Sequence, residues 1–424
     1  MKRACVLISV VLVGSELSNG QSTAAIQEFG GLTSIPGYIV TGPDGALWFT
    51  EGASAPKIGR ITTPGAIAEF PLPNPGGSPV GIAAGPDGAL WFAELGTNKI
   101  GRITTAGAIT EFPVPTAGSG PYGIVAGPDG ALWFTESAVS QIGRITTAGA
   151  VTEFRIPTAN SNPYGIAVGP DGALWFVEEF AGKIGRITTG GAVTEFSVPT
   201  AGSGPFGITA GPDGALWFTE SVGDRIGRVT VSGVFTEFPT LTAFGEPVAI
   251  AKGPDGALWF TELNGNRIGR ITTAGVIAEF PTPTAGNPTG ITAGTDGAMW
   301  FTEGIGKIGR IVLSSAPPPP TVTQYTITTV AGNGTPDLPQ GDNGTATAAA
   351  IVPKGVAADS LGNLFVIDAG SATGKRVSAV RNVDGTGTIT TIACDGPDPL
   401  GVPPWGPVLP AHQALCGNLA GSID

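Results

Sequence analysis

Between residues 24 and 314 the apolar residues of this chain fall into short runs, four to a repeat, separated by glycine-bearing turns. One repeat shows the pattern. Tyr122-Gly123-Ile124-Val125-Ala126 is an apolar run, Gly127-Pro128-Asp129-Gly130 a turn, and Ala131-Leu132-Trp133-Phe134-Thr135-Glu136 a second run. Gln141–Thr147 follows, then Ala148-Gly149, then Val151-Thr152-Glu153-Phe154. Proline pre-sets φ in the turn, and Asp-Gly accepts the positive φ of a tight hairpin. The runs therefore predict four antiparallel strands. Leu132, Trp133 and Phe134 point alternately to the two sides of their strand, yet all three are apolar. A strand with one wet face would alternate; this one predicts a sheet covered on both sides.

The second run recurs seven times as near-copies of G-P-D-G-A-L-W-F-T-E. Trp48, Trp91, Trp133, Trp175, Trp217, Trp259 and Trp300 mark it, spaced 43, 42, 42, 42, 42 and 41 residues apart. That period predicts the blades of a β-propeller, and seven blades close a ring. The seventh repeat stops after Lys307-Ile308-Gly309-Arg310-Ile311, without a fourth strand. Its missing partner stands at the other end as Ala25-Ile26-Gln27-Glu28-Phe29, which matches Ala150–Phe154. The expected fold is all-β: a seven-bladed β-propeller over 24–314, of four-stranded antiparallel blades, closed by an N-terminal strand that completes the last blade and leaves no open edge.

Composition bounds the rest. Residues 1–20 read as a signal peptide, with Lys2 and Arg3 ahead of an apolar stretch from Ala4 to Val13 that is too short to span a bilayer. A secreted or periplasmic protein without a membrane span is expected. The net charge of −12 becomes −13 once residues 1–20 leave, and no basic stripe is present to hold phosphates, so nucleic acid is excluded as a partner. Mean hydropathy is +0.23, high for an exported protein, and blades buried on both faces account for it. Residues 315–324, with four consecutive prolines from Pro317, read as a stiff linker. Segment 325–394 resembles an NHL-type blade at Gly355–Asp359 and Gly362–Asp368. One blade cannot bury both its faces, so the segment docks, stays partly disordered or belongs to a longer second propeller. An irregular tail covers 395–424. Cys394 and Cys416 are the two cysteines outside the signal and would be able to pair in an oxidising compartment.

Function is sought where the repeat varies. The Asp-Gly and Thr-x-Gly turns share one face of the disc and hardly change. The connections on the other face differ from blade to blade: Leu95–Asn98, Ser137–Ser140, Glu179–Gly182, Ser221–Asp224. Such a face is a binding face by default, for a small molecule, glycan or protein. The recurring Glu51, Glu94, Glu136, Glu178, Glu220, Glu262 and Glu303 are read, with Arg60, Arg144 and their equivalents, as cross-strand pairs holding register rather than as a charged ring. The tryptophans are read as core. The residue after the proline that opens strand one runs Val80, Tyr122, Tyr164, Phe206, Val248, Thr289, with the first blade breaking register at Pro36-Gly37-Tyr38. These positions face the channel mouth, where the aromatics either meet an apolar or ring-shaped ligand or plug the channel. Among carboxylates on the variable face, Asp224 and Glu246 are the candidates for a weak cation site.

The repeated L-W-F-T-E, K-I-G-R-I-T and T-E-F-P-x-P phrases resemble the streptogramin B lyase (virginiamycin B lyase) family over residues 24–314. The resemblance implies a seven-bladed propeller that linearises a cyclic depsipeptide antibiotic. It also implies Mg²⁺ and two histidines, each following the proline of strand one in the last two blades, with a glutamate before the final proline. Here those places read Pro247-Val248, Pro288-Thr289 and Asn287, while Glu246 precedes Pro247 one blade early. The single histidine is His412, in the tail. An elimination needs a base near neutral pKa, usually histidine. The expectation is thus a non-catalytic, exported binding propeller with no cofactor and no catalytic residues. The alternative is a Mg²⁺-dependent carbon–oxygen lyase with a base foreign to the family.

Overall fold

A computed structural model of the chain describes residues 24–52 and 55–313, together with strands Pro353–Ala358, Leu364–Asp368, Ser378–Val383 and Ile389–Asp395. The chain divides into two compact units, Met1–Pro317 and Pro318–Asp424. In the first, seven four-stranded antiparallel sheets follow one another, each in consecutive strand order except the last. Blade three is Pro121–Ala126, Leu132–Glu136, Gln141–Ile145 and Val151–Arg155. In blade seven the order is Pro288–Ala293, Met299–Glu303, Lys307–Leu313 and then Ala24–Phe29. The N-terminal strand pairs Ile26 with Ile311 and Phe29 with Ile308, as the repeat predicts. No helix occurs among the described residues.

Both faces of each strand two are buried, for the reason its sequence announces. Trp133 and Ile142 of blade three pack with Leu174, Phe176 and Ile187 of blade four, and every neighbouring pair of blades repeats this layer. Trp133 is fully buried and stacks on Phe154, centroids 5.4 Å apart at 15°. An aromatic of that size removes roughly 150–250 Å² from water, an upper value of ~4–6 kcal/mol per blade. Its indole N–H is held: Nε1 donates to Asp129 Oδ1 at 3.0 Å. The turn Asp-Gly thus also satisfies the core tryptophan behind it.

Four strands of the second unit form one antiparallel sheet in consecutive order, the strand number of a blade. The expected signal, linker and irregular tail lie outside the described residues, as do Cys416 and His412.

Candidate functional site

A bulge just inside the proline of strand one shapes the channel mouth. In blade three Pro121 lies opposite Glu136 and Ile124 opposite Phe134, so strand one carries one extra residue. Bulges re-aim side chains, and here the extra residue sets Tyr122 at the mouth. Thr135 Oγ1 takes up the slack: it accepts the Gly123 N–H at 2.9 Å and donates to the Tyr164 carbonyl of blade four at 2.8 Å. Gly123 has to be glycine, since a Cβ would stand 2.3 Å from that carbonyl oxygen.

Tyr122, Tyr164 and Phe206 converge from three successive blades. Ring centroids are 4.4 Å apart for Tyr122–Tyr164 and 4.9 Å for Tyr164–Phe206. Tyr38 of blade one joins them, 5.9 Å from Tyr122 and edge-on. Blade one keeps register, contrary to the sequence expectation: Pro36 lies opposite Glu51 and Ile39 opposite Phe49. Gly37 fills the place after the proline and Tyr38 the next, so an aromatic reaches the cluster from an unexpected position. Burial, and then the neighbouring phenols Tyr122 and Tyr164, push the Tyr38 hydroxyl well above 10. Burial raises Tyr122 as well. Both stay neutral. The rings pack on one another, each keeping part of its surface exposed. Val80 and Thr289 are half-buried at the same level, whereas Val248 is only 4% exposed.

The variable-face connections carry exposed apolar side chains, above all Phe180, Val222 and Phe244, which are 75%, 73% and 86% exposed. Glu179, beside Phe180, accepts from Asn162 Nδ2 at 2.8 Å, and burial raises its carboxyl. Asp224 has φ of +48° in a place that Asn98, Asn266 and Gly182 hold in other blades. Both its oxygens are engaged by the adjoining loop, Oδ2 by the Phe244 N–H at 2.7 Å and Oδ1 by the Glu246 N–H at 3.2 Å. Glu246 accepts from Asn264 Nδ2 at 2.5 Å. Asp224 is a loop anchor, each of its oxygens taking a backbone N–H.

The expected pairing of strand-two glutamate with strand-three arginine is not formed. Register sets Arg144 opposite Trp133 and Glu136 opposite Gln141, three positions apart. Arg144 Nε instead donates to Asp129 Oδ2 at 2.6 Å, and its guanidinium lies 6.0 Å over the Trp133 ring. The glutamates are fully buried instead.

The family's Mg²⁺ and base do not fit this donor set. Val248 offers no donor atom, Thr289 Oγ1 donates to the Asn287 carbonyl at 3.3 Å, and Asn287 Nδ2 donates to the Leu263 carbonyl. Among the described residues no three of His, Cys, Asp and Glu gather as ligands of a metal. The mouth offers an aromatic surface of rings packed edge-on and tilted, an apolar rim and the neutral phenols of Tyr38 and Tyr122, which is a binding chemistry.

Comparison with known proteins now adds the lineage. The sequence pattern of the Virginiamycin B lyase family matches residues 16–202 and 181–333. Virginiamycin B lyase from Staphylococcus aureus is 43% identical, with TM-score 0.66, over 69% of this chain and 100% of its own. A streptogramin B lyase structure is 40% identical over 69% and 98%, also at 0.66. A catalytically inactive histidine-to-alanine variant of the S. aureus enzyme, solved with quinupristin, is 42% identical over 69% and 100%, again at 0.66. No curated protein matches. The chain belongs to the virginiamycin B lyase family.

Proposed function

We propose that this member of the virginiamycin B lyase family is an exported binding propeller. It seats an apolar, ring-bearing ligand of the cyclic depsipeptide kind on the channel mouth and leaves its ring closed. One observation carries the reading: Val248 and Thr289 stand at the two places where the resemblance calls for histidine, and Asn287 stands where it calls for glutamate. Valine and threonine take no proton from carbon near neutral pH. Support comes from the S. aureus relative, whose histidine-to-alanine variant is inactive yet was solved with quinupristin. Binding and turnover are separable in that scaffold. On the aromatic platform, stacking with the ligand is worth about 0.5–1.5 kcal/mol per ring pair beyond buried area.

Calorimetric titration of the full chain with quinupristin tests this. Tyr164→Ala and Phe206→Ala are expected to weaken binding about tenfold each; unchanged affinity in both contradicts the site.

Family membership favours a second reading, a carbon–oxygen lyase with another base. Glu179 is the carboxyl nearest that role, because burial raises it and it adjoins the Tyr164 entry loop. Under that reading Glu179→Gln abolishes turnover while binding persists.

A further inference from the structure

The seven strand-two glutamates do nothing in the ligand site, and their burial needs a reason. In blade three Glu136 is fully buried and neither of its oxygens receives a hydrogen bond. It is faced by Glu153 of strand four and Ser119 of the entry loop, while strand three contributes the uncharged Gln141. Glu153 is already engaged, accepting the Thr116 N–H and Oγ1–H at 2.9 Å each, and so tethers the loop that enters the blade. Blade four repeats the arrangement. Glu178 is buried, neither of its oxygens receives a hydrogen bond, and Glu195, Ser161 and Lys183 face it. Lys183 binds Glu195 at 3.1 Å, and Thr158 tethers the loop to Glu195 through its N–H and hydroxyl at 3.0 Å each.

Two adjacent carboxyl groups, one of them shut off from water and without a hydrogen bond to either oxygen, do not both carry charge. A proton on Glu136 supplies what the geometry lacks, turning an orphan acceptor into a donor towards Glu153. We propose that each blade except the second, where Glu94 already accepts from Thr97 at 2.6 Å, holds one proton between its strand-two and strand-four glutamates, and that the variable-face loops tethered to those pairs loosen as the protons leave. Burial and then the Glu153 charge push the Glu136 carboxyl up to about 8, and burial and then Glu195 push Glu178 to about 7. Blade four has Lys183 to offset its pair; blade three has only Gln141. A carboxyl raised in the folded state contributes stability that is complete below its unfolded pKa of 4.5 and is lost as pH rises through 7–8.

The test is the urea midpoint of the full chain between pH 5.5 and 8.5, in a His412→Gln background that removes the one histidine. The midpoint is expected to fall as pH rises. Glu136→Gln and Glu178→Gln, which copy the protonated form, each flatten the slope by about one part in six, one pair among the six blades whose strand-two glutamate has neither oxygen hydrogen-bonded. Hydrogen exchange at 116–120, corrected for intrinsic base catalysis, accelerates with pH in the parent and not in Glu136→Gln. Should Glu136→Gln fail to fold, Glu153→Gln removes the like charge while leaving Glu136 buried, and is expected to flatten the slope in part; no change of slope overturns the pairing. A midpoint that is flat or rises with pH overturns the proposal. So does added Ca²⁺ or Mg²⁺ raising the midpoint at pH 8 in the parent but not in Glu136→Gln, since the pair would then hold a cation.

Discussion

Replacing Asp129 tests whether the turn carboxylate, rather than turn propensity alone, holds each blade. One oxygen accepts the Trp133 indole N–H at 3.0 Å and the Ala131 N–H at 3.4 Å; the other takes Arg144 Nε at 2.6 Å. Trp133 is fully buried, so Asp129→Ala leaves its N–H without a partner, which costs about 1–3 kcal/mol. The Asp129–Arg144 pair is partly exposed, 20% and 25% by side chain, and adds no more than ~1 kcal/mol. Asp129→Ala is therefore expected to destabilise the propeller by about 1–4 kcal/mol. Asp129→Asn keeps an acceptor for the indole and loses only the charge, and is expected to cost about 1 kcal/mol. Urea titration followed by tryptophan fluorescence, at a shared slope, reads both. Equal losses in the two variants would mean that charge and not the indole bond matters. A loss below about 0.5 kcal/mol for Asp129→Ala would refute the reasoning altogether.

Three further outcomes follow from the same geometry. Thr135→Val strands the Gly123 N–H and the Tyr164 carbonyl between blades three and four, and is expected to lower stability by about 1–3 kcal/mol in the same titration. Gly143→Ala places a Cβ 2.1 Å from the Phe134 ring across the hairpin, an overpacking expected to cost about 1–3 kcal/mol; an unchanged midpoint would contradict the packing. On the acid side, burial tends to raise the turn carboxyls, but hydrogen bonds from Trp133 and Arg144 win and hold Asp129 below 3.8. Its contribution is present above that value and lost as pH falls through the lowered one, so thermal midpoints should drop steeply below pH ~4.

How far the sequence reaches follows from what the repeat encodes. The Trp period, the Asp-Gly turns and the orphan Ala25–Phe29 segment specify blade count and closure, because each is local chemistry repeated seven times. The Glu–Arg expectation failed because register is set by the whole hairpin: Arg144 falls opposite Trp133, where the turn Asp129 already waits. Asp224, a candidate for a weak cation site in the sequence, has positive φ and takes two loop N–H donors, the counterpart of Asn98, a role visible only once Asn98, Gly182 and Asn266 are aligned with it. Tyr38 enters the aromatic cluster from the place that Gly123 holds in blade three, Gly37 standing where Tyr122 stands there, and the repeat does not report that a side chain at this second place reaches the same cluster. The burial of Glu136 was equally hidden, since a charged residue at a strand end reads as solvated.

The account rests on a family scaffold that binds without opening its ligand, and the direct measurement is ring integrity. The full chain is incubated with quinupristin and Mg²⁺, and products are separated by liquid chromatography with fragment-ion analysis, because eliminative opening leaves the mass unchanged while hydrolysis adds water. The account predicts an intact ring at times when a family enzyme bearing its histidines has consumed the substrate. A linear product formed at a rate proportional to protein concentration would contradict it and send the search for a base to Glu179.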